Sequence, residues 1–234
     1  MFTGFTDETV QFLLDLKFHN NTSYFHEHHD RYVEYVQTPF YQMINDLAPY
    51  MRKIDPLMEI RPHKCLSRIH RDTRFSKDKS PYRDHHWFLF RQGAEPREKS
   101  LFYYFEFGPD RLGWGLGIWG ENRELMDIFR KRMQANPDGT LAVIEDMNLP
   151  KRNLYLGGTV FKRMEIPDIP EKLKRWYISK EMYIGKYDPP YQWAFSERVL
   201  QEVKLDFLTL SPLYHMLRGF ADEIQQNEKD LHEI

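Results

Sequence analysis

The chain has 234 residues, 15% of them aromatic and 29% charged, and a formal net charge of −2. That length allows one large domain or two small ones, and a domain of this size buries roughly 70% of the surface its unfolded chain exposes, so its core needs no staple. The slightly acidic balance excludes the global basic footprint of a nucleic-acid binder, and no run approaches the roughly 20 apolar residues of a membrane helix.

Cys65 is the only cysteine, which excludes an internal disulfide and fits a reducing, cytoplasmic setting. Lys64 and Arg68 nearby would lower a thiol pKa, while the commoner fate of a free cysteine is burial as a small apolar residue. The start, Met1 to Asp7, carries neither the basic nor the apolar stretch of a signal peptide, so none is expected.

Thr6 or Asp7 caps a first predicted helix to about Lys17, with Val10, Leu13 and Leu14 on one face. Asn20-Asn21 stops it and caps a second helix from Thr22. Thr38-Pro39 interrupts that helix and opens a third. Phe40, Met43, Ile44 and Leu47 form its apolar stripe, and Pro49 ends or kinks it. The period then changes. Cys65–His70, Trp87–Phe90, Leu101–Phe107 and Leu112–Trp119 read as strands, the last two joined by a turn at Gly108-Pro109-Asp110 in an antiparallel hairpin or meander. Residues 92–100 read as a loop. Helix returns over 121–135, stopped by Asn136-Pro137-Asp138-Gly139, and again over 140–146. Val160–Met164 and Met182–Ile184 are further strand candidates. Glu171–Trp176, Ser196 to about Leu205, and a segment opened by Ser211-Pro212 are predicted helices. Helices flanking a central block of strands predict a single α+β domain over residues 1–234, with a mostly antiparallel central sheet between N-terminal, central and C-terminal helices.

One segment reverses the local charge. Between Arg68 and Arg83 lie six cations (Arg68, Arg71, Arg74, Lys77, Lys79, Arg83) against two acids (Asp72, Asp78). Two carboxylates cannot neutralise six cations, so the excess faces water, acids elsewhere in the chain, or a ligand. Donors this dense suit phosphate, sulfate or carboxylate; they equally suit a network of internal ion pairs. The interleaved Phe75, Pro81 and Tyr82 anchor the segment on the core, and Ser76 and Ser80 can bond the local backbone.

With Asn20-Asn21, Tyr24-Phe25, Tyr32 and Pro39-Phe40, the run Arg71-Asp72-x-Arg74-Phe75-Ser76-Lys77-Asp78-Lys79-Ser80-Pro81-Tyr82 resembles the conserved hypothetical family called domain of unknown function 2461. Gly157-Gly158, Lys162-Arg163 and Pro170-Glu171-x-Leu173 resemble that family's C-terminal half. The resemblance spans about residues 1–225. It implies a single intracellular α+β domain and no established activity.

Gly115-Leu116-Gly117-Ile118-Trp119-Gly120 spells G-x-G-x-x-G before a predicted helix. The dinucleotide fingerprint requires a parallel βαβ unit, and the elements here read antiparallel. Gly113, Gly115 and Gly117 instead share one strand face, a bare strip for close packing or for the floor of a ligand groove. His26-Glu27-His28-His29-Asp30 departs from H-E-x-x-H, with Asp30 where the second His belongs. His26 and Asp30 form at most half a metal site; no matched second pair is evident, although His85-His86 could lie near in space, so no metal is predicted. No nucleophile elbow, Walker loop or Cys-x-x-Cys occurs, and the sequence names no cofactor and no reaction.

The leading expectation is a small anionic, phosphorylated ligand. Arg71, Arg74, Lys77 and Lys79 would grip it, Arg68 and Arg83 flank it, and Asp72 and Asp78 orient the cations. Tyr82 and Asn20 or Asn21 would add neutral contacts. The alternative is a protein–protein interaction module whose basic loop meets an acidic partner, or the acidic tail (Asp222, Glu223, Glu228, Asp230, Glu233) of a second copy. A nucleic-acid partner would use the same loop plus Lys151-Arg152, Lys162-Arg163 and Lys172–Arg175; net acidity argues against it.

Overall fold

The computed structural model describes residues 1–74, 77–118 and 122–232. Phe75, Ser76, Trp119, Gly120, Glu121 and Glu233, and the side chains of Glu228 and Asp230, lie outside the described residues. The N-terminal elements are α1 (Asp7–Phe18), α2 (Thr22–Glu27), α3 (His29–Tyr32), a π-helical segment (Val33–Gln37), α4 (Thr38–Ile54) and the single turn α5 (Pro62–Cys65). Then come β1 (His86–Phe90), β2 (Leu101–Gly108), β3 (Arg111–Ile118), α6 (Arg123–Ala135), α7 (Pro137–Asp146), β4 (Tyr155–Gly157), α8 (Glu171–Tyr177), β5 (Met182–Lys186), α9 (Glu197–Thr209) and α10 (Ser211–His232). The strands form one antiparallel sheet in the order β1-β2-β3-β5-β4, so the protein is α+β. The chain divides into two compact units. The first comprises Met1–Phe90, Tyr104–Trp114 and Tyr187–Leu205; the second comprises Arg91–Tyr103, Gly115–Lys186 and Asp206–Ile234.

The first unit is organised by aromatic residues. Phe40, Met43, Ile44, Leu47 and Met51 of α4 are all buried at helical spacing. Phe5 stacks on Phe107 at 4.3 Å between ring centroids, and Phe88 stacks on Phe105 at 5.3 Å. Each such ring contributes roughly 1.5–3 kcal/mol of burial.

The π-helical segment is the informative departure. Pro39 does not break the helix; it enters at the first turn of α4. Having no N–H, it cannot serve the carbonyl four residues earlier, that of Tyr35. The Thr9 hydroxyl donates to this carbonyl at 2.6 Å instead. Pro49 likewise does not end α4, which runs on to Ile54; position 49 is exposed, so the surrounding backbone can turn to water.

In the second unit Tyr103 lies against Phe207 (4.9 Å) and Tyr214 (5.3 Å). The fully buried Asp206 carboxylate accepts from Arg152 Nε at 2.7 Å and pairs with Lys186 Nζ at 3.1 Å. Asn136 ends α6 and caps α7, its Oδ1 accepting from Gly139 N at 3.0 Å, so α7 begins at Pro137 rather than at 140. The strand expected over Val160–Met164 reduces to one bridge, Val160 with Ser179. On one side β5 pairs with β4, Leu156 opposite Ile184, and on the other it adjoins β3. Three residues are too few to show alternation, so β4 leaves no periodic signal in the sequence.

Candidate functional site

The basic segment is a hairpin held by neutral groups. Arg71 N donates to Pro81 O and Arg83 N to Ile69 O, and His70 bridges Tyr82. The Asn20 amide clamps it: Nδ2 donates to Tyr82 O and Oδ1 accepts from Tyr82 N, both at 2.9 Å. Asn20 thus supplies the pair of bonds a neighbouring strand would make. Tyr82 is buried and stacks on Phe25 at 4.3 Å. Asn21 caps α2, accepting from Tyr24 N at 2.9 Å. Three expected ligand contacts therefore carry structural bonds.

Most cations of the hairpin are also occupied. Arg74 grips Asp72 through Nη2 (2.7 Å) and Nε (3.0 Å), and this bonding holds the Asp72 carboxyl down at about 2. Arg71 pairs with Asp78 at 2.5 Å. Asp78 also accepts from Ser80 N at 2.9 Å, and its pKa is lowered chiefly by hydrogen bonds from Ser80. Lys79 donates to Thr73 O at 2.8 Å. Arg83 lies 4.5 Å over the Trp87 ring. Lys77 and Arg68 are exposed and form no ion pair among the described residues.

Arg68 differs from Lys77 in where it stands. It lines a cleft of about 270 Å³ at the foot of the hairpin, with His70 beside it. Phe25, His29, Tyr32, Gln37, Tyr41, His63 and Ser67 line it as well. Among the described residues no carboxylate lines this cleft. The π-helical segment shapes it. In an α-helix, residues five apart point about 140° from each other; the wider π turn brings Tyr32 and Gln37 to one face, with Tyr41 one turn on.

Beneath the cleft runs a buried polar chain. Tyr32 Oη lies 3.3 Å from His86 Nε2, and Ser67 Oγ lies 3.0 Å from His86 Nδ1. Ser67 Oγ also accepts from Trp87 N at 3.3 Å. Burial, then the charges of His85 and Arg83, press His86 down to about 3. Burial, then the neighbouring Tyr41, raises the Tyr32 phenol, against a hydrogen bond from Gln37. The floor is consequently neutral at physiological pH. It offers hydroxyl and amide hydrogen bonds, and Arg68 supplies fixed positive charge. Tyr32 belonged to the recognised motif and His86 to the histidine pair, but only the fold joins them through Ser67.

The remaining motifs resolve structurally. A Cβ on Gly115 would fall 2.1 Å from Ile184 O, and one on Gly117 would fall 2.8 Å from the Tyr183 ring. The strip therefore admits the β5 backbone and aromatic rings, within an antiparallel sheet rather than a βαβ unit. His28 stacks on Tyr24 at 4.1 Å, His85 pairs with Asp84 at 2.8 Å, and no cluster able to hold a metal exists among the described residues. Cys65 is buried, its thiol donating to Glu59 O at 3.2 Å. Several C-terminal cations are paired: Arg152 with Asp206, Lys172 with Glu145, and Lys174 with Glu171. Arg175 donates to Gly158 O, and Asp222 and Glu223 of the acidic tail meet Arg218 and Arg132. No helix among the described residues is long and apolar enough to cross a membrane.

An α+β fold with a donor-lined cleft at the foot of a clamped basic hairpin is the class of protein these observations define. The chain belongs to the conserved hypothetical protein family called domain of unknown function 2461, whose sequence model matches residues 8–216. No curated protein matches the chain.

Proposed function

We propose that the first unit binds a small anionic, phosphorylated ligand in the cleft at the foot of the basic hairpin. The observation that carries this reading is the lining: Arg68, three histidines, two tyrosines, Ser67 and Gln37, with no carboxylate among the described residues. A guanidinium with no acid to answer suits a bidentate phosphate. Ser67, Gln37 and Tyr41 provide neutral contacts, and Lys77 adds longer-range attraction. Arg71 and Arg74 reach a ligand only by releasing Asp78 and Asp72, whereas Arg68 makes no such exchange. A cytoplasmic setting is part of the proposal, supported by the single cysteine and its buried thiol.

Thermal unfolding in millimolar phosphate or sulfate tests it. An anion at ten times its Kd stabilises by about 1.4 kcal/mol, roughly 3–5 °C for a protein of this size. The rise should appear in wild type and in Arg74→Met and vanish in Arg68→Met. An equal rise in Arg68→Met, or none in wild type, rejects the reading.

A further inference from the structure

Ser67 is held twice by the backbone of β1. Its N donates to Trp87 O at 2.8 Å, and its Oγ accepts from Trp87 N at 3.3 Å. The same Oγ lies 3.0 Å from Nδ1 of the fully buried His86. A serine hydroxyl has one proton and two lone pairs. Trp87 N fills one lone pair and His86 takes a second position. One position remains, and Ser67 lines the cleft containing Arg68.

His86 decides what that position offers. A neutral imidazole has one N–H and one bare nitrogen. With the proton on Nε2, Ser67 donates to Nδ1 and turns a lone pair to the cleft. With the proton on Nδ1, His86 donates to Ser67, both lone pairs of Oγ are filled, and the hydroxyl proton is left for the cleft. Tyr32 distinguishes the two arrangements. Its Oη lies 3.3 Å from Nε2 and receives a hydrogen bond from Gln37. An Nε2–H would leave the buried phenol proton with no acceptor among the described residues. An Nδ1–H lets Tyr32 donate to Nε2, and every buried group is then answered.

A serine bonded to an imidazole also resembles a nucleophile with its base. Burial presses His86 down to about 3, so at neutral pH it does not keep the proton that a nucleophilic Ser67 would release.

We propose that in the anion-bound protein His86 carries its proton on Nδ1 and holds Ser67 as a hydrogen-bond donor to an oxygen of the anion, in the cleft that also contains Arg68. His86 is a positioning residue, and the ligand presents an acceptor to Ser67 rather than a donor. This inference rests on the anion reading of the cleft given above.

Nitrogen-15 NMR of the imidazoles at neutral pH tests it, because protonated and bare ring nitrogens give well-separated signals; His86→Gln assigns the His86 pair. Inorganic phosphate is the probe. At saturation the proton is expected on Nδ1. The Nδ1 signal should move as phosphate is added, since an anion at the end of a hydrogen-bond chain polarises it, and stay still in Arg68→Met. Ser67→Ala should weaken phosphate binding by about tenfold or more, the loss of one hydrogen bond to a charged oxygen. An Nε2 proton at saturation, an unmoved Nδ1 signal, or undiminished affinity in Ser67→Ala overturns the proposal and leaves the anion reading intact. Absence of phosphate binding that depends on Arg68 overturns both. If Ser67→Ala does not fold, the wild-type tautomer and its response to phosphate decide.

Discussion

Asn20 shows how far a residue's chemistry can be read correctly and its role misread. A side chain with one donor and one acceptor beside a cationic run suits a ligand contact equally well on paper. In the fold it serves Tyr82 backbone on both sides. Asn20→Ala should therefore lower stability by about 1–3 kcal/mol, two hydrogen bonds' worth, measured by urea unfolding; an unchanged midpoint would mean the clamp is not formed. His86 gives a pH signature. Its folded pKa is about 3 against roughly 6.5 unfolded, so between these values the unfolded chain binds more protons. Stability is then fully present above about pH 6.5 and is lost as pH falls toward 3. From pH 6.5 to 5.5 the expected loss is about 1 kcal/mol. Carboxylates such as Asp72 and Glu59, at about 2 in the folded chain, stay ionised in both states over that range. Replacing His86 with Gln should flatten the slope; a slope that survives belongs to another group.

At the scale of elements, the π-helical segment receives one hydrogen bond from outside itself, from the Thr9 hydroxyl to Tyr35 O. Thr9→Val keeps the shape of the side chain and removes the hydroxyl that serves Tyr35 O, leaving a carbonyl short of a donor at a cost of about 1–3 kcal/mol. Pro39→Ala restores an N–H at the position the α-helical register would use, so in the Thr9→Val background it should recover part of that loss. A double-mutant cycle in urea reads the coupling, and strict additivity would show that the two sites do not share the carbonyl. The hairpin behaves differently. Arg74 and Asp72 are both exposed, and exposed pairs contribute little. Arg74→Met is expected to leave the unfolding midpoint unchanged; a large loss would return the segment to a purely structural role.

At the scale of the whole molecule, several buried charges among the described residues are paired at depth. Asp206 is the deep case, with Arg152 and Lys186 converging on it from separate parts of the second unit. Asp206→Asn strands two cations around a buried neutral amide and should cost about 3–5 kcal/mol, visible as a lowered thermal midpoint; a neutral result would mean that water reaches the pair. Glu95 and Arg218 make a second such contact, both nearly buried. Sequence-local reasoning sees the local pairs, as between Asp72 and Arg74, but cannot find partners fifty-four residues apart such as Arg152 and Asp206.

The amphipathic stripe of α4, the β2–β3 hairpin, the Asn136 stop and the anomalous cation run were all legible in the sequence, because periodicity, turn chemistry and local charge are properties of neighbouring residues. The family motif was legible for the same reason. Tertiary structure alone decided which cations are spoken for, that Asn20 is a clamp, and that Tyr32, His86 and Ser67 form one chain beneath a cleft containing Arg68. Those relations depend on distances between residues far apart in the chain, and hydrogen bonds and ion pairs are set by ångströms in space rather than by spacing in sequence.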